Sequence, residues 1–102
     1  MADQPHGNSK KSPKPHHLYE IRDSKHNDVY KYGICGDPLN KDGSSPRANS
    51  QVSLFNTVVN WTRFFARVLL SGIPGRKKAR ELEDQFIEDY TKKHGKRPRG
   101  NR

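Results

Sequence analysis

Residues 17–35 read HLYEIRDSKHNDVYKYGIC. Two runs in this stretch, 17–23 and 28–35, are short and rich in β-branched and aromatic residues. Only Ser24-Lys25-His26-Asn27 lies between them. Such runs joined by a polar link predict an antiparallel hairpin, because branched and ring side chains fit a pleated surface and the link supplies the turn. Gly33, inside the second run, predicts close approach of another group to the backbone at that point.

Downstream, residues 36–46 (GDPLNKDGSSP) are turn chemistry throughout. Ser44 or Ser45 is placed to cap a helix and Pro46 suits its first turn. The predicted helix runs over residues 47–60, with Val52, Phe55 and Val59 at i, i+3 and i+7. Residues 62–71 (TRFFARVLLS) are apolar on both alternations apart from Arg63 and Arg67, which predicts a well-covered third strand. A helix stays open there, since a continuous apolar run does not settle the period. Gly72-Ile73-Pro74-Gly75 predicts a break, and the strongest helical pattern follows, with Ala79, Leu82, Phe86, Ile87 and Tyr90 on one stripe. The expected fold is therefore α+β, a small three-stranded antiparallel sheet flanked by helices.

Upstream, residues 1–16 mix Pro, Gly, Ser, Lys and His without apolar periodicity and predict a flexible leader or linker. Leu, Ile, Val and Phe make up 19 of the 102 residues, near the level at which a charged chain is suspected of disorder. None of the 19 falls in residues 1–15 or 91–102, so the ends are polar and residues 17–102 form one small domain with a basic tail. That leaves room for one core and excludes two. No run approaches a transmembrane helix, and the N-terminus lacks the apolar segment of a signal peptide. The single Cys35 excludes an internal disulfide and a Cys-based zinc site. A net charge of +9 points to a polyanionic partner. Six of the basic residues lie between Lys92 and Arg102, in a tail without an acid, which is expected to be solvated.

One acid is out of place. With Leu82 at zero and about 100° per residue, the apolar side chains of the last helix cover an arc from about 0° to 140°. Glu81, Asp84, Glu88 and Asp89 project outside that arc, while Glu83, at about 100°, falls inside it, between Tyr90 and Ile87. An unpaired carboxylate is costly to bury, so Glu83 needs a cation, a metal ion or an open cleft. The structural alternative is a stripe-edge glutamate paired with an arginine such as Arg67.

Beside Glu83, the hairpin carries a second signal. His17-Leu18-Tyr19, then 11 residues, then Lys31-Tyr32-Gly33 with Ile34-Cys35 and Asp37-Pro38, resembles the two-strand signature of the GIY-YIG nucleases. Arg47 matches an arginine on the helix that follows in that family, and Ala79, Leu82, Glu83 and Ile87 match its later Ala-x-x-Leu-Glu-x-x-x-Ile pattern. The stretch from His94 to Asn101 resembles the Gly-x-x-Pro-x-Gly-Asn ending of small polymorphic-toxin nuclease domains. The departures are His17 and Leu18 for the first Gly and Ile, and Lys31 where a second tyrosine is usual. Gln51 stands where many members carry His or Tyr.

The resemblance implies a metal-dependent endonuclease, with DNA ahead of RNA as substrate. It implies one divalent ion, Mg²⁺ or Mn²⁺, on Glu83, and Arg47 on the scissile phosphate. Tyr19, Lys31 or metal-bound water would take the proton, because Gln51 cannot. Tyr19 and Lys31 are expected to face one another across the hairpin, with pKa values lowered by the cationic site. Tyr32 would contact phosphate and Asn101 would close the site by a hydrogen bond. It further implies the effector domain of a bacterial toxin, delivered into a target cell and neutralised by a cognate immunity protein; a monomer is expected.

Taken one at a time, these residues have ordinary readings. Tyr19 and Tyr32 suit hairpin packing, Lys31 a solvated strand and Arg47 a helix surface. Cys35 and Trp61 are expected in the core. The alternative functions are a basic nucleic-acid-binding module with a degenerated nuclease fold, and a basic protein-interaction domain.

Overall fold

The hairpin forms from the two runs that predict it. In the computed structural model, which describes residues 14–101, β1 spans Pro15–Asp23 and β2 spans Asp28–Cys35. They pair antiparallel with Tyr19 opposite Gly33 and Ile21 opposite Lys31. β1 starts two residues earlier than the pattern suggests, and His16 is already buried. The leader expected over residues 1–16 lies, through residue 13, outside the described residues.

Ser45 caps the first helix, α1 (Pro46–Val59), by accepting a hydrogen bond from the Ala48 N–H at 3.2 Å. The same hydroxyl lies 2.6 Å from His17 Nε2, which ties the cap to β1. β3 (Phe64–Pro74) follows, and the second helix, α2, spans Arg76–His94. The break expected at Gly72 comes only at Gly75, because β3 stays paired with β1 as far as Pro74. Sheet order is β2-β1-β3, antiparallel throughout.

Side-chain alternation then divides the core between the two faces. Tyr19, Ile21, Cys35 and Phe64 pack with Ala48, Val52 and Phe55 of α1. On the opposite face Leu18, Ile34 and Ile73 meet Ala79 and Leu82 of α2, while Val29 and Tyr32 meet Ile87 and Tyr90. The fold is the α+β arrangement expected, a three-stranded antiparallel sheet with one helix on each face. Among the described residues no helix is long and apolar enough to cross a membrane. Trp61 departs from expectation: it follows the α1 C-cap and is about half exposed, at 48%.

The tail departs further. Pro98 is fully buried, and Arg99 reaches the buried carboxylate of Asp23. The Gly100 N–H donates to the Tyr30 carbonyl at 2.7 Å. Asn101 then grips the open edge of β2: its Oδ1 accepts from the Tyr32 N–H at 2.7 Å and its Nδ2 donates to the Tyr32 carbonyl at 2.8 Å. An edge strand leaves such groups without a neighbour, and the asparagine amide supplies both a donor and an acceptor. Gly100 is the residue that permits this approach, since a Cβ there would lie 2.7 Å from both Lys31 and the Tyr30 ring.

Candidate functional site

The fold brings β2, both helices and the tail together around a cavity of about 470 Å³. β2 contributes Lys31, Tyr32 and Gly33, and β1 contributes Tyr19. Arg47 and Gln51 come from α1, Glu83 from α2 and Asn101 from the tail. All six residues singled out in the sequence (Tyr19, Lys31, Tyr32, Arg47, Glu83 and Asn101) thus line one cavity.

Gly33 explains how Tyr19 enters. A Cβ at Gly33 would stand 2.4 Å from the Tyr19 ring and hydroxyl, so the ring crosses the strand where only glycine fits. The hydroxyl donates to Gln51 Oε1 at 2.9 Å. Lys31 is not directly opposite Tyr19, as expected from the hairpin. Its partner is Ile21, and the two-residue offset makes Lys31 and Tyr19 diagonal neighbours on one face. The Arg47 guanidinium is oriented by donating to the Ile34 carbonyl at 3.1 Å. Tyr32 differs from the rest, because its ring packs 5.4 Å from that of Phe86 on the α2 face while Asn101 holds its backbone.

The electrostatics separate the tyrosine from the glutamate. Burial pushes the Tyr19 phenol up to about 12, and the Arg47 charge offsets only part of that rise. The lowering expected from a cationic site is therefore overturned by desolvation, and Tyr19 stays protonated across the neutral range. Burial also pushes the Glu83 carboxyl above its ordinary value, against the opposing charges of Arg80, Lys31 and Arg76. Arg67 does not reach Glu83. It bonds Glu20 on β1 at 2.7 Å, its cross-strand neighbour in the register. Among the described residues Glu83 makes no hydrogen bond or ion pair.

Two lining residues were not singled out in the sequence. Arg76 and Arg80 of α2 face the cavity with Glu83. The projection that isolates Glu83 also places them at about 120° and 160°, so the signal was present in the helical spacing. Lys77 and Lys78, between them in sequence, are exposed.

No group of three or more His, Cys, Asp or Glu side chains among the described residues could hold a metal ion. Asp37 is the other carboxylate lining the cavity. A half-buried carboxylate without a hydrogen bond or ion pair among the described residues does fit Mg²⁺, which commonly takes one or two protein carboxylates and completes its shell with water and substrate phosphate. Burial pushes the His17 imidazole below its ordinary value, with Arg47 nearby adding to the effect, and its bond to Ser45 gives it a structural role.

A second cavity, of about 500 Å³, lies beside Tyr32 and Tyr90 and mixes acids with bases. Glu20 and Arg22 lie 3.7 Å apart there, and the Tyr90 hydroxyl donates to Asp28 at 2.6 Å. Glu20 thus has an ion-pair partner in that cavity, whereas Glu83 makes none among the described residues.

Comparison with known proteins agrees with a toxin domain. No curated protein and no solved structure matches the chain. The model of one family, URI fold toxin 2 (Tox-URI2), matches residues 9–95, which takes in the hairpin, both helices and Glu83. On that match, over most of its length, the chain belongs to the URI fold toxin 2 family.

Proposed function

We propose that this toxin-family domain is a metal-dependent endonuclease of GIY-YIG type, hydrolysing nucleic-acid phosphodiesters as the effector of a bacterial toxin. The observation that carries the proposal is Glu83, half-buried and without a hydrogen bond or ion pair among the described residues, in a cavity whose other charged side chains are five Lys and Arg residues and Asp37. Phosphodiester hydrolysis needs an activated water, charge neutralisation at phosphate and support for the leaving oxygen.

Each group has a place in that scheme. Glu83 would hold one divalent ion, Mg²⁺ or Mn²⁺, which when bound supplies Lewis acidity at phosphate and makes water more acidic. Arg47, already oriented by the Ile34 carbonyl, offers its free N–H groups to the scissile phosphate. Tyr19 acts as a hydrogen-bonding phenol rather than a base, since its proton is held up to about pH 12. Proton removal then rests on Lys31 or on the other source the resemblance allows. Asn101 holds the Tyr32 backbone and so shapes the cavity's edge. DNA stands ahead of RNA on resemblance alone, because this chemistry serves either backbone. An immunity protein that blocks such a cavity would present acids to it.

A second reading is favoured by one contact. Gln51, in the place where His or Tyr is usual, bonds the Tyr19 hydroxyl, and neither group removes a proton at neutral pH. That suits a binding module that has lost hydrolysis.

Purified protein with supercoiled plasmid and with total RNA, in Mg²⁺ or in EDTA, separates the two readings. Cleavage that requires Mg²⁺ and is lost in Glu83→Ala supports the nuclease, and its substrate preference distinguishes DNA from RNA. Cleavage that survives both EDTA and the substitution removes the role of Glu83. Binding without cleavage leaves the second reading.

A further inference from the structure

Six arginines among the described residues fall into two groups. Arg22, Arg63, Arg67 and Arg99 are paired with Glu20 or Asp23, away from the cavity. Arg76 and Arg80 line the cavity and make no hydrogen bond or ion pair among the described residues, although Asp84 lies one turn beyond Arg80. They sit one helical turn apart on the face that carries Glu83, a spacing that puts Cβ atoms about 5–6 Å apart. That is the order of the step between neighbouring phosphates of an extended strand. Arg47 approaches the same space from the other helix, across the β2 edge.

We infer that Arg76 and Arg80 form a second phosphate subsite on α2, so that the cleft takes a strand of at least two phosphodiesters rather than one phosphate group. The inference rests on the nuclease reading for its substrate class, but binding tests it apart from cleavage. A guanidinium fork reads phosphate oxygens in two-point fashion, and two forks one turn apart give the cleft a direction along the strand. A single phosphate at Arg47 would leave both of them with Glu83 as the shared anion of the cavity, and Glu83 makes no ion pair with either.

The test uses the Glu83→Gln protein, in which cleavage is removed, and a fluorescein-labelled single-stranded 12-mer DNA. Affinity is measured from 50 to 300 mM salt, where each phosphate contact contributes about 0.7 to the slope of log affinity against log salt. Adding Arg76→Ala and Arg80→Ala together is expected to lower that slope by about 1.4 and affinity by about tenfold at 0.1 M salt. Arg76→Lys with Arg80→Lys restores the slope but only part of the affinity, because lysine lacks the fork. Lys77→Ala with Lys78→Ala removes the same charge from the exposed side and lowers the slope by less than half as much. The single Arg76→Ala and Arg80→Ala variants each give about half the drop, which keeps the test readable if the double variant fails to fold. Equal drops for the two double alanine variants, an unchanged slope in Arg76→Ala/Arg80→Ala, or no binding by Glu83→Gln, would overturn the subsite. If the native chain fails to cleave in Mg²⁺ while the slopes differ as expected, hydrolysis is lost and the subsite stands.

Discussion

Asp23 and Glu83 are both carboxylates drawn out of water, at opposite extremes of partnership. Asp23, at the turn end of β1, is fully buried and receives two bonds of 2.7 Å from Arg63, a third from Arg99 and a backbone N–H from Lys25. The Arg63 bonds are the main cause holding its carboxyl well below the ordinary range, outweighing its burial, with Arg99 and the backbone bond adding to them. Glu83 is half-buried, carries no such bonds among the described residues and is pushed the other way by burial. A carboxylate that folding satisfies stabilises the fold. One that folding leaves unsatisfied is destabilising, and persists where a ligand can complete it. The first anchors Arg99 and with it the tail, and the second lies in the cavity the tail helps to line.

The comparison is broken most directly at Glu83. Glu83→Gln is expected to lower cleavage at least about a thousandfold, the size of a lost electrostatic group at a reacting phosphate, while the melting temperature stays level or rises at pH 7. Plasmid cleavage and thermal melting on the same preparation check it. A large fall in melting temperature would make Glu83 a structural residue. Asp23→Ala should do the reverse, costing about 2–4 kcal/mol in urea unfolding because Arg63 and Arg99 lose a shared partner. Loss of activity should follow as the tail detaches.

Gly33→Ala probes the ground between the two carboxylates. A Cβ 2.4 Å from the Tyr19 ring must displace it, at a cost of about 1–3 kcal/mol, and activity should fall more than stability. Melting against pH then sharpens the contrast. Asp23 has a folded pKa below its unfolded value of about 3.9, so its contribution is complete above that pH and is lost as pH falls below about 4. Glu83 has a folded pKa above 4.5, so what it contributes is present below that value and is lost as pH rises through the raised one. Between pH 4 and 7, Glu83→Gln should gain stability relative to the native chain, and a parallel pair of curves would refute the assignment. The smallest effect is expected at Arg67→Ala. Its side chain is 64% exposed, so the ion pair with Glu20 is worth less than about 1 kcal/mol, and cleavage should not change.

Much of this was legible without coordinates because it depends on near neighbours in the chain. The strand runs, the four-residue link between them, the Ser45 cap and the apolar stripe of α2 are local patterns, and each formed within a few residues of its expected place. Glu83 was legible for the same reason, since helical period alone puts it among the apolar side chains. Arg76 and Arg80 share that period, but the period alone does not tell a cavity-lining arginine from one on a solvated surface. Trp61 was misread by its composition, as a large ring set just beyond a helix end.

Local chain chemistry set the elements, their caps and the presence of an acid on the wrong face, because backbone periodicity and turn chemistry act over a few residues. What that acid meets was set by long-range packing. Cross-strand register gave Arg67 to Glu20, the close approach at Gly33 buried Tyr19 and raised its pKa, and the Asp23 clamp turned a basic tail into a wall of the cavity. Each depends on groups distant in sequence meeting at a few ångströms, where burial and charge pairing outweigh what any residue type prefers alone.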